Sequence, residues 1–347
     1  MNNFGLSLIL LALLQACTGC IVCSLEKNIQ CIVVRPRPTP RPTPAPTPAP
    51  TPAPTPAPGG CKCGVPQASR NRIVGGIPAT KNEYPWLVAI FRNGDSRPFC
   101  GGTLLSSRTV LTAAHCKVYS NSQIRVHVGE HDVTRADGEQ KIRISGFTSH
   151  PSYNPGGDQL ASFLCLLTPA CQNSGNQDND FAVIQLVSDV AFSNTVMPVC
   201  LPSTGTNYDS RVATTAGWGT FRTGGSSTPK IPYEVDVDTM TNAACGGSNF
   251  QYQPSDLSSN MICAGRDGKD ACQGWQISAL LYLTYCFYLG DSGGPLMTNE
   301  GKFFSLIGVV SWGIGCAQKD APGVYSRVTN QLGWIQGLFR GNTCPKP

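Results

Sequence analysis

The pattern of apolar and polar positions changes character twice along the 347 residues. Phe4 to Ala16 is one apolar run, bounded by Asn2-Asn3 and by the small residues Ala16 to Gly19. Its length suits a secretory signal over residues 1–19 and falls short of the roughly 20 apolar residues that span a bilayer. No later run reaches about 18 apolar residues, so no membrane contact is expected. Between Arg35 and Pro58 periodicity disappears into a Thr-Pro-Ala-Pro repeat. Proline fixes φ and removes the N–H donor, so the 35–60 linker forms neither helix nor sheet. Polyproline II at about 3.1 Å per residue makes it a semi-rigid spacer roughly 70 Å long, rather than a docking ligand. Thr39, Thr43, Thr47, Thr51 and Thr55 are O-glycosylation candidates within it. From Cys61 onward, short β-type runs alternate with Gly, Pro, Asn and Ser clusters. Examples are Leu87-Val88-Ala89-Ile90-Phe91, Ile124-Arg125-Val126-His127-Val128, Val183-Ile184-Gln185-Leu186 and Leu306-Ile307-Gly308-Val309-Val310. This spacing predicts an all-β sandwich or barrel. Only Asn330 to Phe339 has helical spacing, with Leu332, Ile335 and Leu338 on one face and Gly341 as the stop.

Composition narrows the class. Seventeen cysteines without a paired Cys-x-x-Cys zinc pattern point to an oxidising compartment, so a secreted, extracellular protein. Cys17, Cys20, Cys23 and Cys31 crowd the start, and the segment 20–34 holds those that outlast a signal. Their spacing allows pairing within the segment or between chains. The net charge of +5 owes part to Arg35, Arg37 and Arg41 in the proline tract. No basic stripe with interleaved aromatics exists, so nucleic acid is not expected as a partner.

The chemistry gathers at three places. Gly290-Asp291-Ser292-Gly293-Gly294-Pro295 sets a serine in a glycine turn, where backbone N–H groups approach a substrate carbonyl. A serine hydroxyl needs a base, and the base needs an orienting carboxylate. Of the four histidines, His115 follows the apolar run Thr109-Val110-Leu111 and precedes Cys116. His127, His131 and His150 read as surface residues. Asp180 directly precedes the apolar strand Phe181 to Leu186; its competitor, Asp178, does not.

These stretches, in the order His, Asp, Ser, resemble the trypsin/chymotrypsin family of serine peptidases over roughly Cys63 to Gly341. The resemblance implies two antiparallel six-stranded β-barrels with the active site between them and a C-terminal helix. It implies His115 as base then acid, Asp180 as its orienter and Ser292 as nucleophile, with the N–H groups of Gly290 and Ser292 as the oxyanion hole. No cofactor or metal is implied for the chemistry. Arg72-Ile73-Val74-Gly75-Gly76 resembles the family's activation site. A propeptide over 61–72 would then be cut after Arg72 by a trypsin-like protease, and the new amino group of Ile73 would pair with Asp291 in the 73–341 peptidase domain. Asp270 holds the position that selects Arg or Lys in protein and peptide substrates, once the intervening insert is set aside. Ser311, Trp312, Gly313 and Gly323 would line that pocket. By the same analogy Cys100 pairs with Cys116, Cys245 with Cys263, Cys272 with Cys316 and Cys63 with Cys200; Cys61 and Cys344 remain to pair with each other. Glu130, Asp132, Asp137 and Glu139 resemble the calcium loop of trypsins, one residue short, with a solvated acidic turn as the competing reading.

Two segments depart from the family, at about 158–175 and 275–290. Excising Asp158 to Ser174, or Trp275 to Leu289, restores ordinary family text in each case. Both are flanked by glycine at each end, both are rich in residues with pyrimidine-heavy codons, and both carry unpaired-looking cysteines (Cys165, Cys171, Cys286). Each reads as a short intron translated in frame, with a surface loop as the alternative. An apolar insert beside Gly290 disturbs oxyanion donors that must sit about 2.7–3.1 Å from the developing charge. The rival to the enzyme is therefore a catalytically inactive homologue that binds a partner in the extracellular space.

Overall fold

The computed structural model describes residues 21–24, 30–33, 60–68, 76–154, 177–219, 229–247, 252–266, 291–313 and 321–347. The signal, the proline linker, the activation residues Arg72 and Ile73, both inserts, Asp270, Gly290 and the Cys272–Cys316 pair lie outside them. The chain divides into two units, Met1–Thr51 and Pro52–Pro347. In the first, strands β1 (Ile21–Ser24) and β2 (Gln30–Val33) pair antiparallel, with Cys23 opposite Cys31.

The second unit contains two closed barrels. A short strand, β3 (Ile77–Pro78), leads in. The first barrel comprises β4 (Leu87–Arg92), β5 (Cys100–Leu104), β6 (Thr109–Thr112), β7 (Ile124–Val128), β8 (Gln140–Ser149) and β9 (Ala182–Leu186), closing in the order β4-β5-β6-β9-β8-β7. The second comprises β10 (Val212–Gly217), β11 (Tyr233–Met240), β12 (Met261–Gly265), β13 (Pro295–Asn299), β14 (Phe304–Trp312) and β15 (Gly323–Arg327). They follow the order β10-β13-β14-β15-β12-β11, the β10–β11 pairing shuts the ring, and β3 adds to the edge of β11. All ladders are antiparallel, so the expected two-barrel all-β fold is the one observed. Closure removes the sheet edges that would otherwise template aggregation.

The sequence pattern explains the layering. β4 reads Leu-Val-Ala-Ile-Phe and is buried on both faces, because one face fills the barrel and the other lies under neighbouring segments. β8 alternates, with Ile142 and Ile144 inward and Arg143 outward. Apolar residues of both barrels, including Ile90, Val126, Met297 and Leu306, form one continuous core. Trp86 ties the barrels by donating its Nε1–H to Met297 Sδ at 2.8 Å.

Two α-helices punctuate the described residues. α1 (Asn242–Cys245) starts under Thr241, whose hydroxyl accepts from Ala244 N. α2 (Leu332–Gly337) is shorter than the predicted Asn330–Phe339, although Leu332 and Ile335 are buried as expected. A 3-10 turn over Val328–Asn330 precedes it, and glycines at 333 and 337 weaken a helix by about 1 kcal/mol each. Gly341 ends the segment in the left-handed region at φ 76°. Cys61–Cys344, Cys63–Cys200, Cys100–Cys116 and Cys245–Cys263 are all bonded as expected. Among the described residues no helix is long and apolar enough to cross a membrane.

One reading needs correction. His127 is not a surface residue but is 4% exposed, stacked on Phe91 at 4.2 Å. It sits on β7, where its strand position turns it under Arg125 and beside Glu130. His131 and His150 are half-buried rather than exposed; His150 packs edge-on to Trp334 at 4.8 Å.

Candidate active site

β6 and β9 run antiparallel with Thr112 opposite Ala182. The chain leaves β6 through Ala113 into a 3-10 turn, Ala114–Cys116, that carries His115. Asp180 stands just ahead of β9, so the ladder's register brings the two side chains together. The Cys100–Cys116 disulfide pins the histidine turn to β5 across a sequence separation of 16. In the chain-entropy model a loop of that size contributes about 3 kcal/mol.

Asp180 is 0% exposed. A buried carboxylate is tolerated only where hydrogen bonds replace water, and Asp180 has them. Its Oδ1 accepts from the His115 backbone N at 3.0 Å; its Oδ2 accepts from His115 Nδ1 at 2.6 Å and from Ser311 Oγ at 2.6 Å. Its carbonyl accepts from Ser326 Oγ at 3.0 Å. The carboxylate accepts only, so the imidazole proton sits on Nδ1 and Nε2 is the basic nitrogen. Asp178, the competitor, instead bonds to Ser258, Asn260 and Asn179.

Ser292 lies in the turn ahead of β13. Gly293 N donates to Val310 O at 2.9 Å and Gly294 N to Asp291 O at 2.8 Å. The Ser292 carbonyl accepts from Gly101 N at 2.8 Å, and the Gly101 carbonyl accepts from Thr112 Oγ1 at 2.8 Å. The serine turn of the second barrel is thus bonded to β5, which is in turn bonded to β6, the strand that leads into the histidine turn. Gly293 is required here: its φ is 79°, and a Cβ would collide with Thr112 Oγ1 and come to 2.7 Å from Gly101 O. Ser292 is fully buried, and its Oγ meets no hydrogen-bond partner among the described residues. Asp291 Oδ1 accepts from Gly219 N at 2.7 Å. A ring nitrogen of His115 and the sulfurs of Cys100 and Cys116 lie within 4.8 Å of one another. The disulfide leaves no thiolate there, so the trio is no metal site.

The predicted pocket residues cluster at the end of β14 and the start of β15. A Cβ on Gly313 would lie 3.8 Å from Gly323 Cα and 3.7 Å from Tyr252 Oη, in ordinary contact. Tyr252 packs edge-on to Trp312 at 5.2 Å and donates to Pro322 O at 2.7 Å. Three contributions were not legible. Tyr252 and Ser326 sit in unremarkable text, and Ser311, expected to face substrate, holds Asp180.

The trypsin family model matches residues 73–274 and 284–335. The chain belongs to the trypsin family of serine peptidases. The break between 274 and 284 falls inside the segment expected to be the 275–290 insert. Similar proteins include trypsin beta of Drosophila erecta, 34% identical over 265 residues, covering 76% of this chain and 87% of that one. Trypsin of Sus scrofa is 34% identical over 280 residues, covering 80% of this chain and all of the pig protein. Venom serine protease Bi-VSP of Bombus ignitus is 34% identical over 285 residues, covering 78% and 69%. The chain is therefore a trypsin-like serine peptidase, and its disulfides fit an extracellular setting.

Proposed function

We propose that the chain is a secreted zymogen, cleaved after Arg72, that hydrolyses peptide bonds following Arg or Lys. The observation that carries this reading is the 2.6 Å contact of His115 Nδ1 with the buried Asp180 carboxylate, beside a serine turn bonded to β5, the strand that the Cys100–Cys116 disulfide links to the histidine turn. His115 Nε2 takes the proton of Ser292 Oγ as that oxygen attacks the scissile carbonyl. It then returns the proton to the leaving amine, and water repeats the sequence on the acyl-enzyme. Asp180 holds the tautomer and stabilises the transient imidazolium. The N–H groups of Gly290 and Ser292 receive the oxyanion. Asp270 meets the guanidinium or ammonium of the substrate between the small residues Gly313 and Gly323. Cleavage frees the amino group of Ile73 to exchange for Gly219 N as a partner of Asp291, and an activating protease of similar specificity supplies the cut.

One pair of observations favours the second reading, a non-catalytic secreted binding homologue. Ser292 is fully buried, and the family match breaks off just ahead of the serine turn. The deciding experiment prepares two forms: the chain as it stands, and the chain lacking Asp158–Ser174 and Trp275–Leu289. Both are cut after Arg72, with a free Ile73 verified by mass. Turnover of an Arg-terminated amide over a Phe-terminated one by the shorter form supports the enzyme. No turnover by that form would sink it.

A further inference from the structure

The turn between β7 and β8 gathers three carboxylates that the chemistry does not use. Oxygens of Glu130, Asp137 and Glu139 all lie within 4.8 Å of one another. Their side chains are 3%, 6% and 3% exposed, so this is not the solvated acidic turn of the competing reading. Three buried negative charges require compensation. In the loop it resembles, that role falls to a divalent ion with several oxygens at about 2.3–2.6 Å.

Here the chain supplies its own cations. Lys81 Nζ, from the segment after β3, donates to Asp137 O at 2.9 Å and lies 3.3 Å from Asp137 Oδ2. Lys141 Nζ lies 2.8 Å from Glu139 Oε1, and Glu139 Oε2 accepts from the N–H groups of Asp137 and Gly138. Burial opposes ionisation of Glu139, yet the Lys141 bond and the backbone N–H groups of Asp137 and of Glu139 itself bring its pKa down to about 2. Glu130 Oε2 accepts from His127 Nδ1 at 2.9 Å; Arg125 Nε donates to His127 Nε2 at 3.1 Å, which places the imidazole proton on Nδ1. Asp132 turns away to Thr134 and Arg135. A divalent ion among these oxygens would sit next to the Lys81 ammonium and meet like-charge repulsion there. With Lys81 in place the residues do not fit such an ion.

We propose that Lys81 is the resident cation of this loop. Its ammonium closes the 130–139 turn and ties it to the strand β3 segment, so the loop needs no calcium. Glu130 Oε1 and Asp137 Oδ1 are buried without hydrogen-bond partners. Those two oxygens become ligands only when the ammonium is withdrawn, so Lys81→Met turns the loop into a calcium site.

The test uses the full chain, calcium chloride and a chelator, read by thermal unfolding and calorimetric titration. The wild type is expected to keep its Tm within about 1 °C between chelator and millimolar calcium, with no saturable binding; one degree is a small part of the shift that about 1 kcal/mol produces. Lys81→Met is expected to lose Tm in chelator, regain it in calcium, and bind one ion in the range of about 10⁻⁴–10⁻³ M typical of extracellular sites. Lys81→Arg is expected to stay calcium-insensitive. A wild type that binds calcium and gains several degrees overturns the proposal. So does a folded Lys81→Met that binds none. The Lys81 side chain is 45% exposed, so its removal leaves the core intact.

Discussion

Replacing Asp180 by Asn tests the site most sharply, because the structure dictates how the amide must sit. The carboxylate receives a fixed backbone donor, His115 N, on Oδ1 at 3.0 Å. An amide NH₂ there would face another N–H with no room to turn, so the Asn oxygen takes the Oδ1 place. Its NH₂ then takes the Oδ2 place, against His115 Nδ1 and Ser311 Oγ, each previously at 2.6 Å. The serine hydroxyl can rotate and accept. The imidazole can accept only by shifting its proton to Nε2, and a protonated Nε2 cannot take the Ser292 proton. In a related protease the same exchange costs kcat about 10⁴-fold, and at about 1.36 kcal/mol per decade this is about 5.4 kcal/mol of transition-state stabilisation. The same loss is expected here in the Arg72-cleaved, insert-free form, measured as kcat on an Arg-terminated p-nitroanilide. KM and Tm should move little, because Asn fills the same space and keeps its hydrogen-bond count. A loss below tenfold, or one that appears mainly in KM, would refute the tautomer argument.

Other outcomes follow from single contacts. Gly293→Ala should cost about 1–3 kcal/mol in urea unfolding, because its backbone is left-handed and the new methyl meets Thr112 and Gly101; an unchanged midpoint would contradict the stitched turn. After cleavage at Arg72 the 61–72 arm is held by two independent disulfides, Cys61–Cys344 and Cys63–Cys200. Either single serine variant should therefore retain the arm on a non-reducing gel, and only the double variant should release it. Against burial, the Lys141 bond and backbone N–H groups bring the Glu139 pKa down to about 2 from an ordinary 4.5. Its folded pKa is depressed, so the stabilisation is full above about pH 4.5 and fades as pH falls towards 2. Glu139→Gln should lower stability at pH 7 and make little difference near pH 2. Sequencing the transcript across the codons for Tyr153 to Asp180 and Asp270 to Ser292 should return a message lacking both inserts. Retention of either would make it a genuine part of the protein.

Several elements could be read before any coordinates. β4 and β9 announce themselves as apolar runs and β7 as an apolar–polar alternation, because strand burial leaves a local signature. His115, Asp180 and Ser292 could be proposed for a related reason: each sits in a short string whose residues must all be compatible with one tight turn. The cysteine pairs came from family likeness, not from spacing. What the chain text could not reveal are side chains that matter only through partners far along the chain. Ser326 bonds to Asp180 across 146 positions, Ser311 across 131, and Lys81 meets Asp137 across 56. His127, between Val126 and Val128, read as a surface residue, and it is buried because Arg125, Phe91 and Glu130 close over it. The sequence by itself determined the strands, the family and the order of the candidate site residues, since those depend on near neighbours. Only the tertiary structure decided which hydroxyls hold the aspartate and which ammonium neutralises the acidic turn, because β-barrel closure alone brings such distant groups within hydrogen-bond range.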